Sequence, residues 1–422
     1  MAEQRHPIFY GWYVVGGAFL SLFLSFGVLY SFGAFFTPLS KAFDANHAQI
    51  AGLFGITLGL GNALGVVSGP LADRIGARWL VAVGAVLIGA GLLVASRADS
   101  IWHLYVTYSI GVGLGIACIL VPATETVQHW FVRRRGLATG LTMAGSGAGN
   151  LAGPPVAAVL LRVWDWSVVF VALGVTAVAG ILLASRFLVR APEVKGLRPD
   201  GDAAAPASTL QPVSGMTVRE AVKTHAFRLL YLASLVAALG AFVPFAHLVP
   251  DAESHGIHPV TASMLLGLIG AGSVAGRFFL GGSSDRFGRR RVCIAMFIGM
   301  GLFLSFWLVA DNVWTFALFA VGFGLSYGGL FVIVPALTTD YFGARHAGAV
   351  IGVLYTSLAP GCFLGPTLAG WAYDLYDSYT VPIVASVITM VIGLMCALRL
   401  PEPQGAVTPS PGPSPALPGR GA

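Results

Sequence analysis

The sequence predicts an all-α membrane protein: twelve transmembrane helices in two pseudo-symmetric six-helix bundles. Three observations predict it. Of the 422 residues, 56% are hydrophobic and only 10% charged, with a mean hydropathy of +0.80, whereas soluble domains carry about 25% charged residues. Apolar stretches of roughly 20 residues, the length that crosses a bilayer, follow one another almost from end to end. Two polar loops then repeat nearly the same sequence at a fixed offset.

Candidate spans are residues 12–36, 49–71, 79–96, 102–125, 137–161 and 167–189, then 227–249, 260–282, 292–310, 313–337, 347–371 and 380–399. The first apolar stretch is too long for the hydrophobic region of a cleaved signal and is expected to stay as the first helix. An N-terminal bundle over 1–189 and a C-terminal bundle over 227–400 are joined by residues 190–226, a Pro-, Gly- and charge-rich linker with a short surface helix around 218–223. The tail, 401–422, has too little apolar surface to order itself and is predicted to be disordered.

Orientation follows from the basic residues. With both termini in the cytoplasm, Arg74, Arg78, Arg133 to Arg135, the linker, Arg286, Arg289 to Arg291 and Arg345 share that side. Of the 24 Lys and Arg, only Lys41, Arg97 and Arg162 fall outside, and Arg277 lies within a span. This is the positive-inside distribution of a multi-pass protein of the cell (inner) membrane. The pI of about 9.3 therefore reflects topology, and no nucleic-acid partner is expected. The bilayer is the expected partner, and a single chain is expected to suffice.

Cys118, Cys293, Cys362 and Cys396 all fall in apolar stretches without metal-type spacing, so they read as packing residues. No P-loop, nucleophile elbow or metal-spaced His/Cys set occurs, which argues against an enzyme, an ATP-driven pump or a bound cofactor.

The repeat pairs GPLADRIGAR, with Asp73 and Arg74, with GGSSDRFGRR, with Asp285 and Arg286, at an offset of 285 − 73 = 212. Gly136, Gly140, Gly149, Gly153 and Pro154 recur at that offset as Gly348, Gly352, Gly361, Gly365 and Pro366. Six helices separate the copies, so the halves share an orientation and are related by an axis along the membrane normal. Asp73, Arg74, Arg78, Asp285 and Arg286 in the loops, with Glu125, Arg134 and Asp340 near cytoplasmic helix ends, are candidates for gating bonds between the halves. Solvated turns placed by topology are the other reading. The Gly-rich fifth and eleventh helices are expected to face the opposite half, where small residues allow close approach.

These loops resemble the G-x-x-x-D-R-x-G-R-R motif of the major facilitator superfamily, and the resemblance covers essentially residues 8–400. Within that superfamily, PATETVQHWFVRRRGLATGLTMAGSG is similar to the monocarboxylate transporter signature through Trp130, Phe131, Arg133, Arg134, Leu137, Ala138 and Gly140. The first helix, from Gly11 and Trp12 to Phe35 and Phe36, resembles that family's first helix. The acidic residue usual before it is missing, with Pro7 near its place.

The resemblance puts Arg277, in GSVAGRFFLGG, at the family's substrate-binding arginine. Physical chemistry points the same way. A guanidinium in a span costs roughly 2.5–3.5 kcal/mol even on insertion scales, and a carboxylate compensates it through two parallel hydrogen bonds. The alternative is an arginine that snorkels to the interface.

Two departures concern the proton. Ser273 stands where relatives carry an acidic residue four before the arginine, and Tyr30 corresponds to a helix-1 lysine of many animal members. His247, in FVPFAHLVPD, is the best substitute as a proton-linked group beside the substrate. A structural histidine bonding a backbone carbonyl is the other reading. Asp251 and Glu253 are expected in the outer loop. Candidate cavity residues are Tyr30, Asn62, Tyr327, Phe331, Tyr355 and Cys362, each of which could equally be packing.

The expected function is alternating-access symport of a proton and a small monocarboxylate such as lactate or pyruvate. Three alternatives stay open: an organic-anion exchanger, a drug/proton efflux antiporter, or a membrane receptor that does not transport. The efflux reading draws on Gly149-x-x-x-Gly153-Pro154, which partly resembles that group's helix-5 motif but has Ala157 and Ala158 where the motif has glycines.

Overall fold

The computed structural model describes residues 9–131, 134–201, 215–343 and 345–402, without the side chains of Asp73, Arg135 and residues 280–286. Among the residues singled out above, Arg133, most of the tail, and the side chains of Asp73, Asp285 and Arg286 thus lie outside the described residues.

The described chain is almost wholly helical, as it must be where no water is available to satisfy backbone N–H and C=O groups. The N-terminal half contains α1 (Gly11–Phe43), α2 (His47–Ala63), α3 (Gly65–Ile75), α4 (Ala77–Ala95), α5 (Ile101–Leu104), a π turn (Tyr105–Ser109), α6 (Ile110–Trp130), α7 (Arg135–Leu161) and α8 (Trp166–Ser185). Then come the short surface helix α9 (Val218–Ala221) and the C-terminal half: α10 (His225–Ala241), α11 (Val243–Ser254), α12 (Pro259–Phe287), α13 (Arg289–Trp307), α14 (Val313–Phe342), α15 (Ala347–Tyr355), α16 (Leu358–Tyr376) and α17 (Thr380–Leu398).

Among the described residues, ten helical segments are individually long and apolar enough to cross a membrane, and the pair α2–α3, bent by 43°, makes an eleventh. Three of the ten are composite: α5–π–α6, α10–α11 and α15–α16. Breaks fall where the backbone is weakest, before Pro244 in the α10–α11 pair and at Thr356–Ser357 between α15 and α16. The 27-residue α7 is long enough to span. Its Gly, Ser, Asn and Pro content keeps its hydropathy low, as suits a helix packed closely between α1 and α12.

Helix starts follow local chemistry. Asn46 and Gln49 form a reciprocal capping box at α2, and Asn312 with Thr315 does the same at α14. The expected surface helix in the linker starts at the Thr217–Glu220 box, where the Thr217 backbone N–H and hydroxyl hold the Glu220 carboxyl below the usual carboxylate range.

The linker is docked at both ends. Trp130 Nε1 donates to the Val189 carbonyl at 2.7 Å, and Lys195 lies 3.9 Å over the Tyr10 ring. Beyond residues 202–214, Met216 N–H donates to Phe342 O at 2.7 Å.

The repeat is physical as well as textual. A Cβ on Gly153 would overlap the carbonyl of Gly27, and one on Gly365 would overlap the carbonyl of Leu239; both members of the second pair lie 212 further along than those of the first (365 − 153 and 239 − 27). Across the halves, a Cβ on Gly55 would come within 2.8 Å of Phe363 O, and one on Gly267 within 2.6 Å of Leu151 O. Those two contacts also exchange at the same offset, 267 − 55 and 363 − 151. The halves therefore meet as a pseudo-two-fold pair, α2 on α16 and α7 on α12.

The fifth and eleventh helices, α7 and α15–α16, do face the opposite half as expected, but not through the repeated glycines. Gly149 and Gly153 pack on α1, and Gly361 and Gly365 on α10, inside their own halves. The opposite half is met by intervening residues, such as Gly147 against Val274. Helical periodicity is the reason: residues two apart point to different faces.

Gly136, Gly140, Gly348 and Gly352 have open space where a Cβ would stand. Gly153→Ala is therefore expected to lower stability by roughly 1–3 kcal/mol through overpacking, whereas Gly140→Ala stays neutral or gains slightly. Thermal unfolding of both variants in detergent checks this, and equal melting temperatures would contradict the packing account.

Candidate functional site

A cavity of about 50 Å³ lies between the halves. α1 supplies Phe26 and Tyr30, α2 supplies Asn62, and α7 supplies Ser146 and Asn150. From the C-terminal half, Phe242 follows α10, Ser273 and Arg277 come from α12, and Tyr327 and Phe331 from α14. Among the described residues, no Asp or Glu lines it.

Arg277 reaches across the interface. Its Nη1 donates to the Met143 carbonyl and, at 2.8 Å, to Ser146 Oγ, both on α7. Its guanidinium carbon is 5.8 Å from the Phe331 ring centroid, a cation–π approach. Arg277 Nε, Ser273 Oγ and Asn150 Oδ1 are buried without a hydrogen-bond partner among the described residues, and all three residues line this cavity. Buried polar groups are normally paired, and one left unpaired costs about 1–3 kcal/mol. Three such groups meet on this one cavity.

The aromatic wall is continuous. Tyr30 and Tyr327 hydroxyls are 3.5 Å apart across the halves, and the Phe245 ring sits 4.8 Å from Tyr30 and 5.1 Å from Tyr327. Asn62 Nδ2 donates to Leu58 O at 2.9 Å and lies 3.9 Å from Cys362 Sγ. The structure thus gathers Arg277, Tyr30, Asn62, Tyr327 and Phe331 around one space, with Cys362 behind Asn62. Tyr355 stands further back, its ring 6.5 Å from Phe331.

Ser146, Asn150, Phe26 and Phe242 were not singled out in the sequence. The available signal was that Ser146 and Asn150 are polar residues one turn apart in the Gly/Ala-rich middle of α7.

His247 is placed elsewhere. Its Nε2 is 2.9 Å from the Pro366 carbonyl, its ring packs 5.5 Å from Phe36 and 5.6 Å from Tyr379, and its Nδ1 has no partner among the described residues. At roughly 1.5 Å per residue, Arg277 is about 27 Å from the start of α12 and His247 about 10 Å from the end of α11, so they lie on the order of 15 Å apart along the bundle. The structure does not bring them together.

The expectation for Asp251 and Glu253 is also corrected: both lie in α11. Helix α11 continues to Ser254, so Asp251 is 4% exposed instead of in a loop, and its Oδ2 accepts from Trp307 Nε1 at 2.7 Å.

His247 belongs to a set of contacts closing the end opposite the linker. Thr37 Oγ1 donates to Glu253 Oε2 at 2.7 Å, joining α1 to α11. Asp374 of α16 accepts backbone N–H bonds from His47 and Ala48, both 3.0 Å, and its Oδ1 is 3.1 Å from His47 Nδ1. A carboxylate from one half thereby satisfies the first amides of α2 in the other, at the positive end of that helix.

The charges expected to gate the linker end are more dispersed. Asp340 bonds Arg289 at 2.5 Å within the C-terminal half. Arg74, Arg78 and Arg134 are exposed, with Arg78 stacked 5.7 Å over Trp79 and the Arg134 amide 3.4 Å from Asp200. Glu125 lies beside Gly69 of α3.

Two pseudo-symmetric bundles around a mostly apolar cavity that carries a few polar groups, closed at one end, make a solute carrier rather than an enzyme. The chain belongs to the major facilitator superfamily, whose family model, "Major Facilitator Superfamily", matches residues 18–281 and 230–419; it is a secondary-active transporter. It is 28% identical over 410 residues to human monocarboxylate transporter 11, covering 93% of this chain and 83% of that one. To human monocarboxylate transporter 2 it is 28% identical over 416 residues, covering 93% and 87%. To the MFS transporter asaE of Aspergillus flavus it is 28% identical over 364 residues, covering 85% and 79%.

Among solved structures, a bacterial homolog to the human lysosomal transporter Spinster, in an inward-facing and unoccupied conformation, superposes with a TM-score of 0.69 at 16% identity. That alignment covers 93% of this chain and 97% of the other. At this identity the likeness concerns the fold.

Removing the Asp374 carboxylate forfeits charge-assisted bonds worth about 1.5–3 kcal/mol. Asp374→Ala should therefore shift the balance between closed and open forms of that end by roughly tenfold or more. Spin labels at Lys41 and Tyr376 would report it as a longer distance distribution, and an unchanged distribution would rule out the closing role.

Proposed function

We propose that this chain is a carrier of small monocarboxylates, with lactate and pyruvate as the simplest, that couples their movement to a proton by alternating access. The observation that carries the reading is Arg277: a cation within a span, unpaired with any carboxylate among the described residues, with a buried Nε lacking a partner, on a cavity that is otherwise mostly apolar. Its Nη1 is engaged by α7. The Nε side of the guanidinium is the edge left for a carboxylate, and side-on pairing uses it. The names of the relatives above support the same class.

On this reading α7 is the twelfth span, and the two bundles are 1–189 and 227–400 on either side of the linker. The linker and both termini face the cytoplasm of a cell or inner membrane, a reading that the distribution of Lys and Arg supports. The carrier works as a single chain. His247 is the proton-linked group, and its place among the closing contacts means that its protonation acts on the closed end and reaches the carboxylate only through conformation. The loop charges Asp73, Arg74, Arg78, Asp285 and Arg286, with Glu125, Arg134 and Asp340, make the bonds that hold the linker end when it closes.

Uptake of labelled lactate and pyruvate into proteoliposomes, with and without an inward proton gradient, tests the reading. Gradient-driven accumulation is expected; Arg277→Ala should reduce it by at least about tenfold, and Arg277→Lys should recover little because an ammonium cannot pair side-on. Counterflow indifferent to the gradient would favour anion exchange instead. Full uptake by both variants would return Arg277 to a snorkelling role.

A further inference from the structure

A second cavity, about 70 Å³, lies wholly within the C-terminal half. It shares three walls with the first: Phe242, Tyr327 and Phe331 line both. Its own lining is nearly all apolar. Ala237 and Ala241, one turn apart on α10, leave the space, and Met300, Val334 and Leu358 bound it from α13, α14 and α16. Tyr355 closes the side behind Phe331.

We propose that this cavity receives the apolar tail of the transported acid, so that the preferred substrates are monocarboxylates with an aryl or branched alkyl group. The inference rests on the carboxylate reading of Arg277. Its argument is adjacency and reach: the two cavities adjoin across Phe242, Tyr327 and Phe331. The guanidinium carbon is 5.8 Å from the Phe331 centroid, and Phe331 is 6.5 Å from the Tyr355 ring. A carboxylate held about 2.7–2.9 Å from the guanidinium nitrogens leaves the two remaining carbons of pyruvate or lactate on the Arg277 side of Phe331. A phenyl or isobutyl group two or three bonds further out passes that ring and enters the second cavity.

Phe331 lines both cavities, with its ring centroid 5.8 Å from the Arg277 guanidinium carbon and 5.0 Å from the Tyr327 ring. Polar head and apolar tail thus meet matched surroundings in adjoining cavities, the usual composition of a small-molecule site. Met300 adds an unbranched, adaptable wall suited to tails of differing shape.

The test is thermal stabilisation of the purified full chain by acetate, pyruvate, 4-methylpentanoate and 3-phenylpropionate. The two tailed acids should reach half-maximal stabilisation at concentrations at least roughly tenfold below pyruvate, the size of effect an added apolar group has in a fitting pocket. Ala237→Leu, which fills the cavity from α10, should abolish that advantage and leave the pyruvate response unchanged. Leu358→Trp, which fills it from α16, is the second variant should the first fold poorly, and melting temperatures without ligand verify folding.

Equal midpoints for pyruvate and 3-phenylpropionate, both lost in Arg277→Ala, would overturn the tail site and leave the carboxylate reading standing. So would a tail advantage that survives both filling variants. Stabilisation by none of the acids, or by all of them equally in Arg277→Ala, would overturn the carboxylate reading itself, and this inference with it.

Discussion

Lipid tails are as apolar as leucine, so helices in a bilayer gain little from hiding hydrophobic surface from one another. What holds this bundle is close backbone approach at glycines: Gly153 on Gly27 and Gly365 on Leu239 inside the halves, Gly55 on Phe363 and Gly267 on Leu151 between them. Each needs the missing Cβ, and each has a partner one repeat away. Because the inter-half contacts exchange under the repeat, the interface is self-complementary in the sense that a two-fold interface is. Such an interface suits rocking, since both sides present the same small-residue surface to slide or part.

That packing decides where polarity can be tolerated. The closed end pairs its carboxylates: Asp374 on the first amides of α2, Glu253 on Thr37, Asp251 on Trp307. His247 Nδ1 and the Tyr379 hydroxyl there, and Arg277 Nε, Ser273 Oγ and Asn150 Oδ1 on the central cavity, are buried without partners among the described residues. An end tied by paired carboxylates and a centre with unpaired groups suit a carrier. The first contributes stability to one facing, and the second waits for a solute to complete it.

His247 shows how composition and place separate. Its residue type argues for proton chemistry near a bound acid, yet the break before Pro244 and the continuation of α11 to Ser254 carry it to the closed end, between Phe36 and Tyr379. Proton and acid would then be linked through the conformational equilibrium of that end rather than by contact. Coupling of that kind needs only that each ligand favour the same state.

Hydropathy, the basic loops and the offset of 212 (285 − 73) were enough, by themselves, to determine a membrane bundle of two like halves, because burial in lipid and repetition both write themselves along the chain. The lone intramembrane arginine was legible for the same reason: charge in an apolar run is costly wherever it points. Facing was not legible. Which glycines meet the other half, that Ser146 and Asn150 join the arginine, that His247 does not, and that Asp251 is buried under Trp307 all depend on helix rotation and on breaks at Leu64, Phe242 and Thr356. The breaks have local causes, but helix rotation is set by contacts between segments far apart in sequence, so only the tertiary structure decided those placements.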